Sequence, residues 1–170
     1  MDTGLLLLRV AVALLLVFGH ATQKLFAWPE GPGLDQAGKL FETWGHRPGK
    51  AMAAFAAISE LVGGLLLAVG LFTPVGSAVV VATMIVAAAA TAPNGLWNLR
   101  GGSELALLYG VIAASLAFTG PGKYSLDHAF GFSAAGNGWG LAMAATSAAA
   151  SGLVIARQRV LLHAAHGAEQ

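Results

Sequence analysis

The chain contains no cysteine, which removes disulfide exchange, thiolate metal sites and cysteine-held iron–sulfur clusters from the chemistry it can supply by itself. Charge is scarce too, at 10% of residues, where a soluble domain carries about 25%. Nine basic and eight acidic side chains leave a net charge of +1. The basic residues are scattered, whereas a phosphate-binding surface needs them clustered, so nucleic acid is set aside as a partner. What fills the 170 residues is apolar: 56% are hydrophobic and mean hydropathy is +0.71. With runs long enough to cross a bilayer, this composition predicts an integral membrane protein, an all-α polytopic bundle of transmembrane helices in contact with lipid.

At about 1.5 Å per residue, roughly 20 apolar residues cross the hydrocarbon. Five segments meet that measure: 5–27, 51–72, 74–92, 103–119 and 138–156. The last is rich in Ala and Gly and is closed by Arg157 and Arg159. Thr73-Pro74 leaves almost nothing between the second and third spans, which predicts an antiparallel hairpin with Pro74 in the first turn of a helix. Gly120-Pro121-Gly122 stops the fourth. Between the first two lie residues 28–50, where Leu34, Ala37, Leu40, Phe41 and Trp44 recur at helical spacing and predict a short amphipathic helix over 35–44, lying in the interface. A cleaved leader is not expected, because Asp2 stands where a basic region belongs and Arg9 interrupts the apolar stretch.

Five crossings put the termini on opposite sides. Lys24, Lys39, Arg47, Lys50, Arg100, Arg157 and Arg159 then share one face against Arg9 and Lys123 on the other, so the positive-inside rule predicts an external N-terminus. Trp28, Trp44 and Trp97 gather at the basic face.

An ionisable group inside a membrane costs about 2.5–3.5 kcal/mol on insertion scales, so those retained must face protein or water and usually find partners. In the first span Arg9 and His20 are eleven residues apart, which on an ideal helix puts them on one stripe, and Gln23 and Lys24 extend it toward the basic face. Glu60 lies near the middle of the second span, at the depth of His20, and Gly63 and Gly64 clear its face for a neighbour. Glu104 opens the fourth span after a polar turn containing Trp97 and Asn98. Each of these charges also has a bland reading, as a structural ion pair or as an interfacial side chain that snorkels. The convergence of basic, acidic and amide groups on one half of a small bundle favours a site. The third span carries no charge and reads as a lipid-facing packing helix, and the fifth has a small-residue face suited to helix contact. His163 and His166 are spaced as two metal ligands on a helix, but two are too few, and no metal is expected.

These pieces together resemble the DoxX family. They are Leu8-Arg9, His20 and Gln23-Lys24-Leu25; Phe41-Glu42, Gly45 and Pro48; Glu60-Leu61-Val62-Gly63-Gly64; Gly70-Leu71-Phe72-Thr73; Asn94-Gly95-Leu96-Trp97-Asn98 with Gly101-Gly102 and Glu104; and Gly120 to Asp127. The resemblance covers about residues 5–127. It implies a four-helix membrane domain over 1–130 and association with membrane oxidoreductase systems, including a thiosulfate-to-quinone oxidoreductase. The additional span and tail over 131–170 depart from the common four-span form.

Three functions are compatible with these residues. In the first, the protein is a subunit of a bacterial inner-membrane oxidoreductase that binds a quinone-like partner. His20 and Lys24, with Glu60 and Glu104, would handle hydrogen bonds and protons, and Arg9, Gln23, Trp97 and Asn98 would hold the ligand. Its electrons would come from a membrane or soluble redox partner. In the second, the protein is a non-catalytic anchor or assembly factor docking a partner through 28–50. The third is a small proton-coupled transporter, against which stands the lack of an inverted repeat. Ala- and Gly-rich faces make a homo-oligomer plausible.

Overall fold

Within hydrocarbon a chain must satisfy its own backbone N–H and C=O groups, which favours helices, and every regular element among the described residues is helical. The computed structural model describes residues 1–132 and 134–167, with the backbone alone for 165–167. Helix α1 (Asp2–Leu16) runs through a π turn (Val17–Ala21) into α2 (Thr22–Phe26). Then come α3 (Gly33–Thr43), α4 (Gly49–Val69), α5 (Thr73–Thr91), α6 (Glu104–Thr119), the short α7 (Leu126–Ala129) and α8 (Asn137–Gly167).

Among the described residues, four helical stretches are long and apolar enough to cross a membrane: Asp2–Phe26, Gly49–Val69, Thr73–Asn94 and Asn137–Ala164. The span expected over 103–119 is shorter than a full crossing. As α6 it has 16 residues, about 24 Å against a hydrocarbon core of about 30 Å. The turn before it consumes the missing length: Ser103 and Glu104 donate their backbone N–H groups to Gly95 and Leu96 carbonyls, and the helix starts only there. The outward faces carry Leu7, Phe55, Ile58, Val111 and Leu153, each more than half exposed. Such a surface would be an aggregation liability in water and is what lipid demands.

The third span packs more widely than its lack of charge suggested. As α5 it is the centre of the bundle, packed against α4, α6 and α8. Absence of charge was a poor guide, because small side chains decide helix approach in a membrane. Gly76, Ser77 and Ala78 are buried, and Ser147 of α8 donates a hydrogen bond to the Ala78 carbonyl at 3.0 Å. Val12 and Leu16 of α1, Leu67 of α4, Val80 of α5 and Leu116 of α6 close the core around it. Gly63 and Gly64 act as the spacing suggested. A Cβ on Gly64 would stand 3.2 Å from Val17, and one on Gly63 2.8 Å from Val80, so the two glycines bring α1 and α5 onto α4.

The expected hairpin between α4 and α5 is closed by a residue far along the chain. Gly70 ends α4 in the left-handed region, at φ 64°. Phe72 and Thr73 donate their N–H groups to the two oxygens of Asp127 at 2.7 and 2.9 Å, and Asp127 returns its own N–H to Gly70 at 2.8 Å. The negative charge sits where the N-terminus of α5 presents its free donors. The amphipathic helix between the first two spans is α3, whose Ala37 and Phe41 pack on Ala53 of α4 with Leu34 and Trp44 alongside.

Candidate functional site

At the end of the bundle where α2 stops, one continuous chamber of about 880 Å³ opens between the helices. A hydrogen-bonded ion pair stands in its wall. Nζ of Lys24 lies 2.7 Å from Oε1 and 2.5 Å from Oε2 of Glu60, with side-chain exposures of 19% and 4%. The arrangement follows from local structure. Glu60 projects from the middle of α4, and the long stem of Lys24 reaches it from the last turn of the first span. Because Lys24 covers both carboxylate oxygens, the pair is internally neutralised and leaves little net charge facing the chamber.

His20 lies in the π turn, a one-residue widening of the helix common at functional sites. Its half-buried ring meets the buried Tyr109 of α6 edge-on, with centroids 5.6 Å apart at 79°. Neither the imidazole of His20 nor the phenol of Tyr109 has a hydrogen-bond partner among the described residues, and both line the chamber. A histidine and a tyrosine can each donate and accept. Together they offer unused hydrogen-bonding capacity in an otherwise apolar space.

Of the residues singled out by sequence, His20, Lys24, Glu60 and Asn98 come together on this chamber. The others do not line it. Gln23 donates from Nε2 to the Pro29 carbonyl at 3.2 Å. Glu104 turns back to accept the Asn98 N–H at 2.9 Å, fixing the turn that presents Asn98. Trp97 is 61% exposed. Arg9 is fully buried, but its Nη2 donates to the Tyr124 carbonyl at 2.5 Å, with the Asp127 carboxylate as its nearby negative charge. Eleven residues separate Arg9 from His20 by about 16 Å along the axis, and the π turn between them upsets the ideal-helix phase that put them on one stripe. Arg9 therefore ties α1 to the turn closed by Asp127.

Tyr109 escaped the sequence reading because an aromatic in an apolar span passes for core; its one polar atom was the available signal. His46 escaped it as a loop residue. It is 2% exposed, packs against the Phe41 ring, and neither ring nitrogen has a partner among the described residues. The end of α8 covers this loop, with Gln158 donating to the Trp44 carbonyl and Arg157 to that of Arg47, both at 2.5 Å.

Burial holds the His46 imidazole below the ordinary histidine value of 6.5, and the Arg157 charge adds to this. The unfolded chain then takes up a proton more readily than the folded one, so stability present above the ordinary value falls as pH drops below it. Unfolding temperature in detergent is expected to fall less between about pH 7.5 and 5 in His46→Phe than in the wild type, because the variant lacks this proton uptake. Equal slopes would contradict it.

No group of three or more potential metal ligands occurs among the described residues. His163 is exposed, and the side chain of His166 lies outside the described residues.

The family model described as DoxX matches residues 4–93, more than half of the chain. The chain belongs to the DoxX family. A relative from Haemophilus influenzae, described as an uncharacterized protein, is 30% identical over 128 residues, covering 72% of this chain and 87% of its own. No solved structure matches. Within the family match lie His20, Lys24 and Glu60; Asn98, Tyr109 and the whole of α8 lie beyond it. This member of the DoxX family is thus a multi-pass membrane protein whose ion pair sits in the matched region.

Proposed function

We propose that the protein is a subunit of an oxidoreductase system in the bacterial cytoplasmic membrane and that it holds a quinone-like redox partner in the chamber. Membership of the DoxX family supports the first part. The observation that carries the second is the pair of unpartnered rings, His20 and Tyr109, facing the apolar chamber beside the Lys24–Glu60 ion pair. A quinone has two carbonyl oxygens that accept hydrogen bonds and take up two protons on reduction. His20, Tyr109 and Asn98, which line the chamber, would donate for the first task, and Glu60, held by Lys24, would pass a proton. With no thiolate for a cluster, electrons reach the site from a partner protein.

Equilibrium binding of a short-chain ubiquinone to the protein in mild detergent tests this. His20→Ala combined with Tyr109→Phe removes two hydrogen bonds of about 1 kcal/mol each and is expected to weaken binding by about tenfold or more. Unchanged affinity would remove the quinone reading.

A second reading, a non-catalytic anchor for another protein, is favoured by the exposure of Trp28 and Leu40 on the segment before α4. It is distinguished by Trp28→Ala with Leu40→Ser: loss of a co-purifying partner with quinone binding intact selects the anchor.

A further inference from the structure

The chamber is much larger than its polar end, and the remainder has a definite place in the fold. Helices α4 and α8 both pack on α5 and barely meet each other, so a strip of α5 is left as the floor of a groove between them. Val75, Val79, Ala82 and Val86 follow one another along that strip at helical spacing, Val75 exposed and the other three half-buried. Ala150 and Val154 of α8 form one wall and Phe55 of α4 the other. From Val75 to Thr91, sixteen residues on, the strip is about 24 Å long, most of the depth of a hydrocarbon core. Its exposed edges include Phe55, Val75 and Leu153, 63%, 48% and 74% exposed, and the exposed Thr146 beside them donates its hydroxyl back to the Ala142 carbonyl, so the groove meets lipid along an apolar edge.

The polar end limits what head group can sit in it. Among the described residues lining the chamber, Lys24 is the one lysine or arginine, and both oxygens of Glu60 already occupy it. A phosphate head needs a free cation and would meet none, as well as a carboxylate nearby. A neutral head needs hydrogen-bonding partners, and His20 and Tyr109 offer them unpaired.

We propose that the groove between α4 and α8 is a tail subsite that admits, sideways from the bilayer, the hydrocarbon chain of an amphiphile with an uncharged, hydrogen-bonding head. This rests on the reading of the chamber as a binding site and narrows its ligand class to neutral-headed, long-tailed molecules. A membrane quinone and a long-chain alcohol share that chemistry; an anionic phospholipid does not.

The test uses the full chain in vesicles of phosphatidylethanolamine and phosphatidylglycerol, with two photoreactive probes carrying a diazirine in the same tail, a long-chain alcohol and a phosphatidylglycerol. The alcohol is expected to label α5 around Ala82 and α8 around Ala150 saturably. Ala82→Phe, which fills the floor, should cut that labelling by about tenfold. Ala150→Phe, an exposed position where folding is not at stake, should do the same. The phosphatidylglycerol should label these positions without saturation. Saturable labelling by the phosphatidylglycerol, indifference of the alcohol to both substitutions, or exclusion of both probes by a second copy of the chain would each overturn the proposal. Competition by a tail-less quinone, with His20→Ala as control, separates the two claims. Saturable alcohol labelling that no quinone displaces keeps the subsite and removes the quinone, whereas quinone binding without groove labelling keeps the quinone and removes the subsite.

Discussion

Lys24→Met is expected to destabilise the protein by about 3 kcal/mol, because it leaves the Glu60 carboxylate, 4% exposed, without the charge that compensates its burial. The complementary Glu60→Gln should cost less, since Lys24 retains 19% exposure at the end of the first span and its long stem can carry the ammonium outward. Replacing both, Lys24→Met with Glu60→Leu, should recover most of the loss, as a buried pair exchanged for apolar groups is often neutral or better. Reversible unfolding in mixed micelles measures all three. Equal losses for the two single variants, or a double variant at the sum of both, would show that the pair is not the buried, coupled unit described above.

A comparable loss is expected for Asp127→Ala, about 2–4 kcal/mol. The change deletes a charged acceptor of two backbone N–H groups at the start of α5 and leaves those donors in a buried turn. It also removes a negative charge close to Arg9, which is fully buried and has Nε and Nη1 unpartnered among the described residues. Asp127→Asn should recover part of the loss, since one side-chain oxygen can still accept. The effect lies at the end of α5 opposite the polar end of the chamber, so the surviving folded fraction should bind a short-chain quinone with wild-type affinity. A change in affinity equal to that of His20→Ala would mean that the two ends are not independent.

The helices were legible because their limits are written in punctuation that acts locally. Pro74 starts α5, Gly120 ends α6, and the apolar spacing from Leu34 to Trp44 marks α3. The depth of Glu60 was legible too, from its place midway along α4, and so was the clearing of its helix by Gly63 and Gly64. The identity of its partner was not. An ideal helix puts Arg9, His20 and Lys24 on one stripe, but the five-residue π turn at Val17–Ala21 widens the helix at that point, and no residue type signals such a turn. Arg9 finds its acceptor in Tyr124, 115 positions away, and Thr73 its cap in Asp127. Pairings over such separations are properties of the packed bundle and leave no periodic trace. Tyr109 illustrates the same limit from the other side. Its ring satisfies the apolar pattern of α6, and only assembly brings it against His20.

The most direct test is ¹⁵N magnetic resonance of the histidine side chains in lipid nanodiscs, with and without a short-chain ubiquinone. The ring nitrogens of His20 should move on addition of the quinone, and Tyr109→Phe should reduce the quinone concentration dependence of that shift to a weaker one, while those of His128, near the opposite end, stay in place. If His20 is unmoved at saturating quinone, or all the histidines move together as the bilayer fills, the unpartnered rings do not face a ligand and the chamber is not its site.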